Sequence, residues 1–233
     1  MSLVFVTGGS RGLGFATAKA LSSMGHQVVI FAKNSERIQI AANELNSKYE
    51  VVDLEDIGQT REVFKSAVEK YGVPDILILA HGVMSDRMAK TLRTNDQEWR
   101  RVMTINLDSV FTIVNEVGSK MAEARNGRII IFSACLGRMS GPGNAGGLAP
   151  YRISKAGVNA LVRNLAYETG HGSRGLWVDA ICPNHSRTDM GGPDAPRSAE
   201  EGAATAIWLA TRELTSGVTE TGLLWEDNEV IPW

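Results

Sequence analysis

Apolar residues along the chain alternate between short, near-continuous runs and longer stretches at helical spacing. Leu3–Thr7 predicts a first strand, Gly12–Met24 a helix and Gln27–Ala32 a second strand. Ser35–Asn46 has helical periodicity, Glu50–Asp53 is a short strand, and the helix Asp56–Tyr71 is stopped by Gly72-Val73-Pro74. Asp75–Ala80 is almost all Ile and Leu, the mark of a strand buried on both faces. Asp96–Ala124 is one long helical pattern, Arg128–Ser133 a fifth strand, Pro150–Gly170 a helix and Trp177–Ile181 a sixth strand. Ala199–Thr211 closes the helices and Thr221–Trp225 is expected as the last strand. This order predicts an α/β, doubly wound fold: seven mainly parallel strands with helices on both faces. Met139–Ala149, rich in Gly, and Asn184–Arg197 have no periodicity; the first reads as an insertion (139–149) and the second as a substrate loop (184–197).

The 233 residues are 43% apolar, which suits a single domain over 1–233 with a sizeable core. A formal net charge of −2 gives no footprint for nucleic acid or an acidic membrane. No apolar run approaches the roughly 18 residues of a membrane helix, and the short apolar N-terminus lacks the basic start of a signal peptide. A cytoplasmic protein with two reduced, buried thiols, Cys135 and Cys182, is expected, and neither has metal-site spacing.

Two segments carry chemistry. Thr7-Gly8-Gly9-Ser10-Arg11-Gly12-Leu13-Gly14 joins the first strand to the first helix, where glycines permit close approach and a helix N-terminus can face a pyrophosphate. The spacing is Gly-x-x-x-Gly-x-Gly rather than the more familiar Gly-x-Gly-x-x-Gly, and its position at the strand-to-helix junction marks a Rossmann dinucleotide site. The second strand ends Phe31-Ala32-Lys33, with no carboxylate at its tip; Lys33 and Arg11 are placed to neutralise a 2′-phosphate, which favours NADP over NAD. Asp53, with Leu54 beside it, falls where adenine would lie. In the second segment, Tyr151 and Lys155 stand one helical turn apart. A tyrosine has a pKa of about 10 when free, and a fixed ammonium nearby lowers it toward a range useful for general acid/base work.

With Asn106 between these segments and Pro183–Thr188 after them, the chain resembles the short-chain dehydrogenase/reductase family over nearly its whole length, and its C-terminal part looks carbonyl-reductase-like. The resemblance implies NADP(H)-dependent, reversible reduction of a ketone or aldehyde. Tyr151 would be the acid/base, Lys155 would hold the nicotinamide ribose and tune the tyrosine, and Asn106 would bind a relay water. Gly8, Ser10, Arg11, Gly12, Leu13 and Gly14 would cradle the phosphates. Ala80 and Gly82 would line the adenosine ribose, and Pro183, Thr188 and Met190 the nicotinamide end. A homodimer or homotetramer acting on a small carbonyl or alcohol, without metal, would follow.

Four departures change that expectation. Leu79-Ala80-His81-Gly82 stands where the family has Asn-Asn-Ala-Gly, which would weaken local bonding. Ala134 stands where the family's oxyanion-stabilising serine is expected, one place after Ser133. Ser133 can replace it only if the strand end is bulged or already irregular, and Ser140 is an outside candidate. A weakly active or non-catalytic NADP(H)-binding module is therefore the alternative. The segment Gly141–Gly147 lengthens the approach to Tyr151 as a substrate-side flap or a plain surface insertion, and Met139, Leu148 and Met190 suggest an apolar pocket or packing under that flap. Asn184 follows Pro183 where the family has Gly, and Asn is the next-best residue for a left-handed turn.

Overall fold

A computed structural model describes residues 1–86, 89–141, 146–215 and 219–233. The parts of the expected pocket and insertion at 87–88 and 142–145 lie outside the described residues. The strands are β1 (Leu3–Thr7), β2 (Gln27–Ala32), β3 (Lys48–Val51), β4 (Ile76–Leu79), β5 (Gly127–Phe132), β6 (Leu176–Ile181), β7 (Leu224–Glu226) and β8 (Glu229–Ile231). They form one sheet in the order β3-β2-β1-β4-β5-β6-β7-β8, parallel except for the antiparallel β7–β8 pair. The order reverses between β1 and β4, so a crevice opens at the carboxyl ends of those strands. The sheet thus has eight strands rather than seven. Asp227 and Asn228 both take positive φ (52° and 64°), which lets a tight turn fold Glu229–Ile231 back onto β7.

Helices cover both faces, as the near-unbroken apolar strands require. α1 (Gly12–Ser23), α2 (Ser35–Leu45) and α6 (Ala199–Thr211) contribute Leu21, Ile38 and Leu209 to a core built on Val4, Val6, Ile30 and Ile130. α3 (Ile57–Tyr71), α4 (residues 96–124) and α5 (Ala149–Glu168) contribute Phe64, Ile113 and Val158 to the other, built on Phe5, Phe31, Leu77 and Ile129. Helix starts follow their chemistry: Asn34, Asp56 and Asn95 each accept from the N3 backbone, and Ser198 with Glu201 completes a capping box. α1 has neither a side-chain cap nor an acid in its first turn, leaving its N–H groups for an anion. α4 is continuous but carries π turns at Thr104–Asp108 and Val114–Gly118. No helix among the described residues is long and apolar enough to cross a membrane.

Candidate active site

The turn after β1 is shaped for a ligand that needs close backbone approach. Gly8 has φ +65°, and a Cβ there would lie 3.2 Å from the backbone of Ala80 and His81. Gly12 also has positive φ, and a Cβ on Gly14 would strike the Gly8 carbonyl at 2.4 Å. Ser10, Gly12 and Leu13 are partly exposed around this turn, and Arg11 is exposed at the α1 N-cap position. The glycine cradle and the uncapped α1 fit a dinucleotide pyrophosphate.

At the β2 tip, Lys33 lies 2.6 Å from Asp53 in an exposed ion pair. Asp53 also accepts from the Glu55 N–H, so the carboxylate expected beside adenine is already engaged. The Leu54 side chain belongs to the buried core with Phe31 and Phe64, which leaves its backbone as the part available to a ligand. Arg11 is paired with Asp189, on the 184–197 loop.

Below this, the fold brings three candidates together at the β4 end. A Cβ on Gly82 would lie 3.3 Å from Asn106 Oδ1 and 3.5 Å from Lys155 Nζ, so only glycine leaves the space between them open. Asn106, fully buried in the first π turn, accepts from Val83 N–H (2.8 Å) and donates to Val83 O (2.9 Å) and Ser154 Oγ (3.0 Å). The side chain therefore fastens the loop after β4 to α5. The π turn itself replaces ordinary i→i−4 bonding, a deformation that clusters at functional sites.

Tyr151 is buried near the start of α5, following Leu148, which holds φ 52°, and Pro150 in the first turn. Lys155 Nζ lies 6.0 Å from the centre of the tyrosine ring and donates to Phe132 O at 2.7 Å. The lysine is thus tied to β5 rather than to the phenol. Burial pushes Lys155 down to about 8. Burial, with the neighbouring Cys135 and Cys182, pushes the Tyr151 hydroxyl upward. The expectation that Lys155 lowers the tyrosine is corrected for this ligand-free state: desolvation wins, and the phenol is held protonated. Cys182 is buried, whereas Cys135 is half-buried, not enclosed as expected. A hydrogen bond between the two thiols draws Cys135 down to about 6 and pushes Cys182 up.

At the end of β5, Ser133 and Ala134 are held in different ways. Ser133 bonds back to β6 through its N–H on Ile181 O (2.8 Å), and its hydroxyl donates to Asn159 Oδ1 (2.5 Å) and lies 3.4 Å from Lys155 O. Ala134 is extended (φ −161°, ψ 153°). β5 ends at Phe132, and the Ser133 hydroxyl is committed to α5. Asn159 also donates to Gly137 O (3.1 Å), stapling the turn after β5 to that helix. With its hydroxyl given to Asn159, Ser133 has that proton already engaged in the ligand-free state. Ser140 is likewise engaged, since its hydroxyl donates to Trp233 O at 3.1 Å.

His81 restores the tie that the lost asparagines would have made. Thr7 Oγ1 lies 2.6 Å from its Nδ1 and Ser109 Oγ 2.8 Å from its Nε2, while Ser109 donates to Ile105 O inside the π turn. With Ser109 donating its proton onward, Nε2 carries the imidazole hydrogen and Nδ1 accepts from Thr7. Burial, with the nearby Lys155 ammonium, pushes His81 down to about 3. Its folded value thus lies below the ordinary 6.5, so between those values the unfolded chain binds one more proton. Stability is expected to fall as pH drops from 6.5 toward 3, by up to ~1.4 kcal/mol per pH unit. His81→Asn should remove that component. Urea titrations at pH 7 and pH 4.5 should show the gap between parent and variant narrowing on acidification; a pH-independent gap would refute the assignment.

On the substrate side, Asn184 adopts φ 56°, the left-handed conformation expected of it. Pro183 and Thr188 are partly exposed, and Thr188 Cγ2 lies 3.1 Å from where a Gly12 Cβ would be, so the 184–197 loop lies over the phosphate turn. Of the residues expected at an apolar pocket, Met139 and Met190 are exposed and so do not pack under the insertion. A cleft of about 640 Å³ lies instead between Lys90, Thr91, Leu92, Arg93, Gly146 and Gly147. Among the described residues no group of three His, Cys, Asp or Glu could hold a metal.

The sequence model of the short chain dehydrogenase family matches residues 2–199, which include the glycine turn, Asn106, Tyr151 and Lys155. The chain belongs to the short-chain dehydrogenase family. Among curated relatives, the 3-oxoacyl-[acyl-carrier-protein] reductase of Rickettsia prowazekii (strain Madrid E) is 34% identical over 187 residues, 79% of this chain and 73% of the relative. The reductase of the same name from Escherichia coli (strain K12) is 33% identical over 190 residues, 81% and 75% of the two chains. A solved structure described as ribose-5-phosphate isomerase from Brucella melitensis 16M matches with TM-score 0.83 and 26% identity, over 96% of this chain and 89% of that one. As a short-chain dehydrogenase, the chain is an oxidoreductase of the nicotinamide-dependent type.

Proposed function

We propose that the protein is an NADPH-dependent reductase of ketones or aldehydes, working reversibly from one domain over 1–233. The observation that carries this reading is the buried Tyr151 phenol, held protonated one helical turn from Lys155, whose Nζ borders the Gly82–Asn106 opening. Gly8, Ser10, Gly12, Leu13 and Gly14 would hold the pyrophosphate, Arg11 and Lys33 the 2′-phosphate, and the Asp53–Leu54 segment the adenine. Ala80 and Gly82 would border the ribose, with Pro183, Thr188 and Met190 on the nicotinamide side. Bound NADPH would supply a hydride to the carbonyl carbon. Tyr151 would give its proton to the carbonyl oxygen, and Lys155, 6.0 Å from the ring, would hold the ribose and offset the charge left on the phenol. Asn106 would fix the π turn whose carbonyls can hold a water for reprotonation.

The relatives' names make a 3-oxoacyl thioester the first substrate to try, and Lys90 and Arg93 at the cleft suit an anionic carrier. The test is NADPH oxidation against 3-oxoacyl thioesters and a panel of simple ketones and aldehydes. NADPH binding without turnover of any of them would favour the second reading, a non-catalytic NADP(H)-binding module, for which Ala134 is the motive. For the cofactor, Lys33→Asp should lower the ratio of NADPH to NADH affinity by at least about tenfold. An unchanged ratio would remove Lys33 as the selector. Exposed Phe111 on α4 and Ile153 on α5 suit a homodimer or homotetramer in the cytoplasm.

A further inference from the structure

The cation cluster at the adenosine end contains a residue that the sequence motifs do not single out, and a carboxylate that competes for it. Asp189 sits between two guanidinium groups: it is paired with Arg11, and Arg37 Nη1, at the first turn of α2, lies 3.8 Å from the same Oδ2. Asp189 belongs to a loop closed on itself. Thr188 Oγ1 accepts from Gly191 N–H (3.1 Å), His185 Nε2 meets Gly191 O (2.7 Å), and Ser186 bridges to Arg197. Arg187 donates to the carbonyls of Ala195 and Pro196 (2.9 and 3.0 Å), while Arg197 pairs with Asp227. A force on Asp189 therefore acts on the whole 184–197 segment, which borders both the phosphate turn and the substrate side.

We infer that Asp189 is an internal anion that occupies the 2′-phosphate position of the selectivity site and latches the 184–197 loop, and that Arg37 is a second phosphate-binding cation. This rests on the NADP reading above. Arg11, Arg37 and Asp189 are all half-exposed or more, with side chains 57%, 50% and 69% accessible, so the internal pairs are weak. A phosphate dianion carries more charge and more acceptor oxygens than one carboxylate and displaces it. Release of Asp189 frees the loop at the moment the correct cofactor is seated. NADH, lacking the 2′-phosphate, leaves the pair intact, so the latch discriminates between the two cofactors.

The experiment measures dissociation constants for NADPH and NADH by nucleotide fluorescence with the full chain, its Asp189→Asn variant and its Arg37→Ala variant. Asp189→Asn should tighten NADPH about three- to tenfold and change NADH less than about twofold. Arg37→Ala should weaken NADPH by a similar factor and spare NADH. Amide exchange of the ligand-free Asp189→Asn protein should rise over residues 187–192 while its melting temperature holds. If the parent binds neither nucleotide, or prefers NADH, the cofactor reading fails first. If the parent prefers NADPH but Asp189→Asn leaves both constants alike or weakens NADPH, the latch is wrong and the cofactor reading stands.

Discussion

Ala134→Ser should raise carbonyl turnover by about 100- to 1000-fold, with the NADPH dissociation constant unchanged. The magnitude is that of a single oxyanion-hole donor gained in a water-poor site. The position is suited to it. Ala134 is only 9% exposed and extended, and it directly follows Ser133, whose hydroxyl is spent on Asn159. The turn that follows is already held on α5: a Cβ at Gly137 would lie 2.7 Å from Lys155, and Asn159 caps the Gly137 carbonyl. A hydroxyl added at 134 thus enters a turn already tied to α5. Ser133→Ala serves as the contrast. It should cost stability through the lost Asn159 bond, with little further loss of turnover in the Ala134→Ser background. Should Ala134→Ser leave turnover flat while NADPH still binds, the chain is not a weakened reductase, and the binding-module reading takes its place.

The parts of this site that the sequence displayed are those carried by periodicity and by glycine. Most of the strands follow from apolar runs whose two faces are both buried, the short and partly exposed Lys48–Val51 being the exception, and the glycine turn announces itself because no other residue fits at Gly8 or Gly14. β8 was not legible as a strand. Glu229–Ile231 is three residues long and mostly exposed, with no alternation to find; the signal that existed was the Asp227-Asn228 pair, able to take positive φ side by side. The role of His81 was half legible. Its departure from the family pattern was plain, but the compensation by Thr7 and Ser109 depends on contacts 74 and 28 residues apart. The direction of the tyrosine shift could not be read from a Tyr-x-x-x-Lys spacing, because spacing gives proximity and says nothing of desolvation. Asp189 was hidden for a similar reason: its partners lie 178 and 152 residues away in sequence, across a loop with no periodic pattern.

Tyr151→Phe should lower carbonyl reduction by about 100- to 10,000-fold, the range expected when a positioned general acid is removed. The phenol and phenylalanine rings have the same shape, so packing in the buried pocket is kept, and NADPH affinity should change by no more than one neutral hydrogen bond, about tenfold at most. The pH dependence adds a sharper readout. In the ligand-free protein, burial and the two neighbouring thiols hold the tyrosine above its ordinary value, so it remains a proton donor throughout the neutral range. Cys135, drawn down to about 6, has lost its proton before that range ends, and Lys155, pushed down to about 8 by its burial, is the cation beside the tyrosine that loses its charge as pH rises further. Below about 8 the ammonium is present and can balance a developing phenolate; above it the lysine is neutral and proton loss from Tyr151 becomes harder. Reduction by the parent should therefore hold steady to about pH 8 and then fall, whereas the residual rate of Tyr151→Phe, with no phenolate to balance, should lack that fall. Hydride-transfer rates of both proteins from pH 6 to 10, with nucleotide saturating, separate the cases. Equal rates in parent and variant would strip Tyr151 of the acid role. A parent profile that falls only together with NADPH binding would assign Lys155 to cofactor retention alone, since a group needed for the proton step must act on a complex already filled.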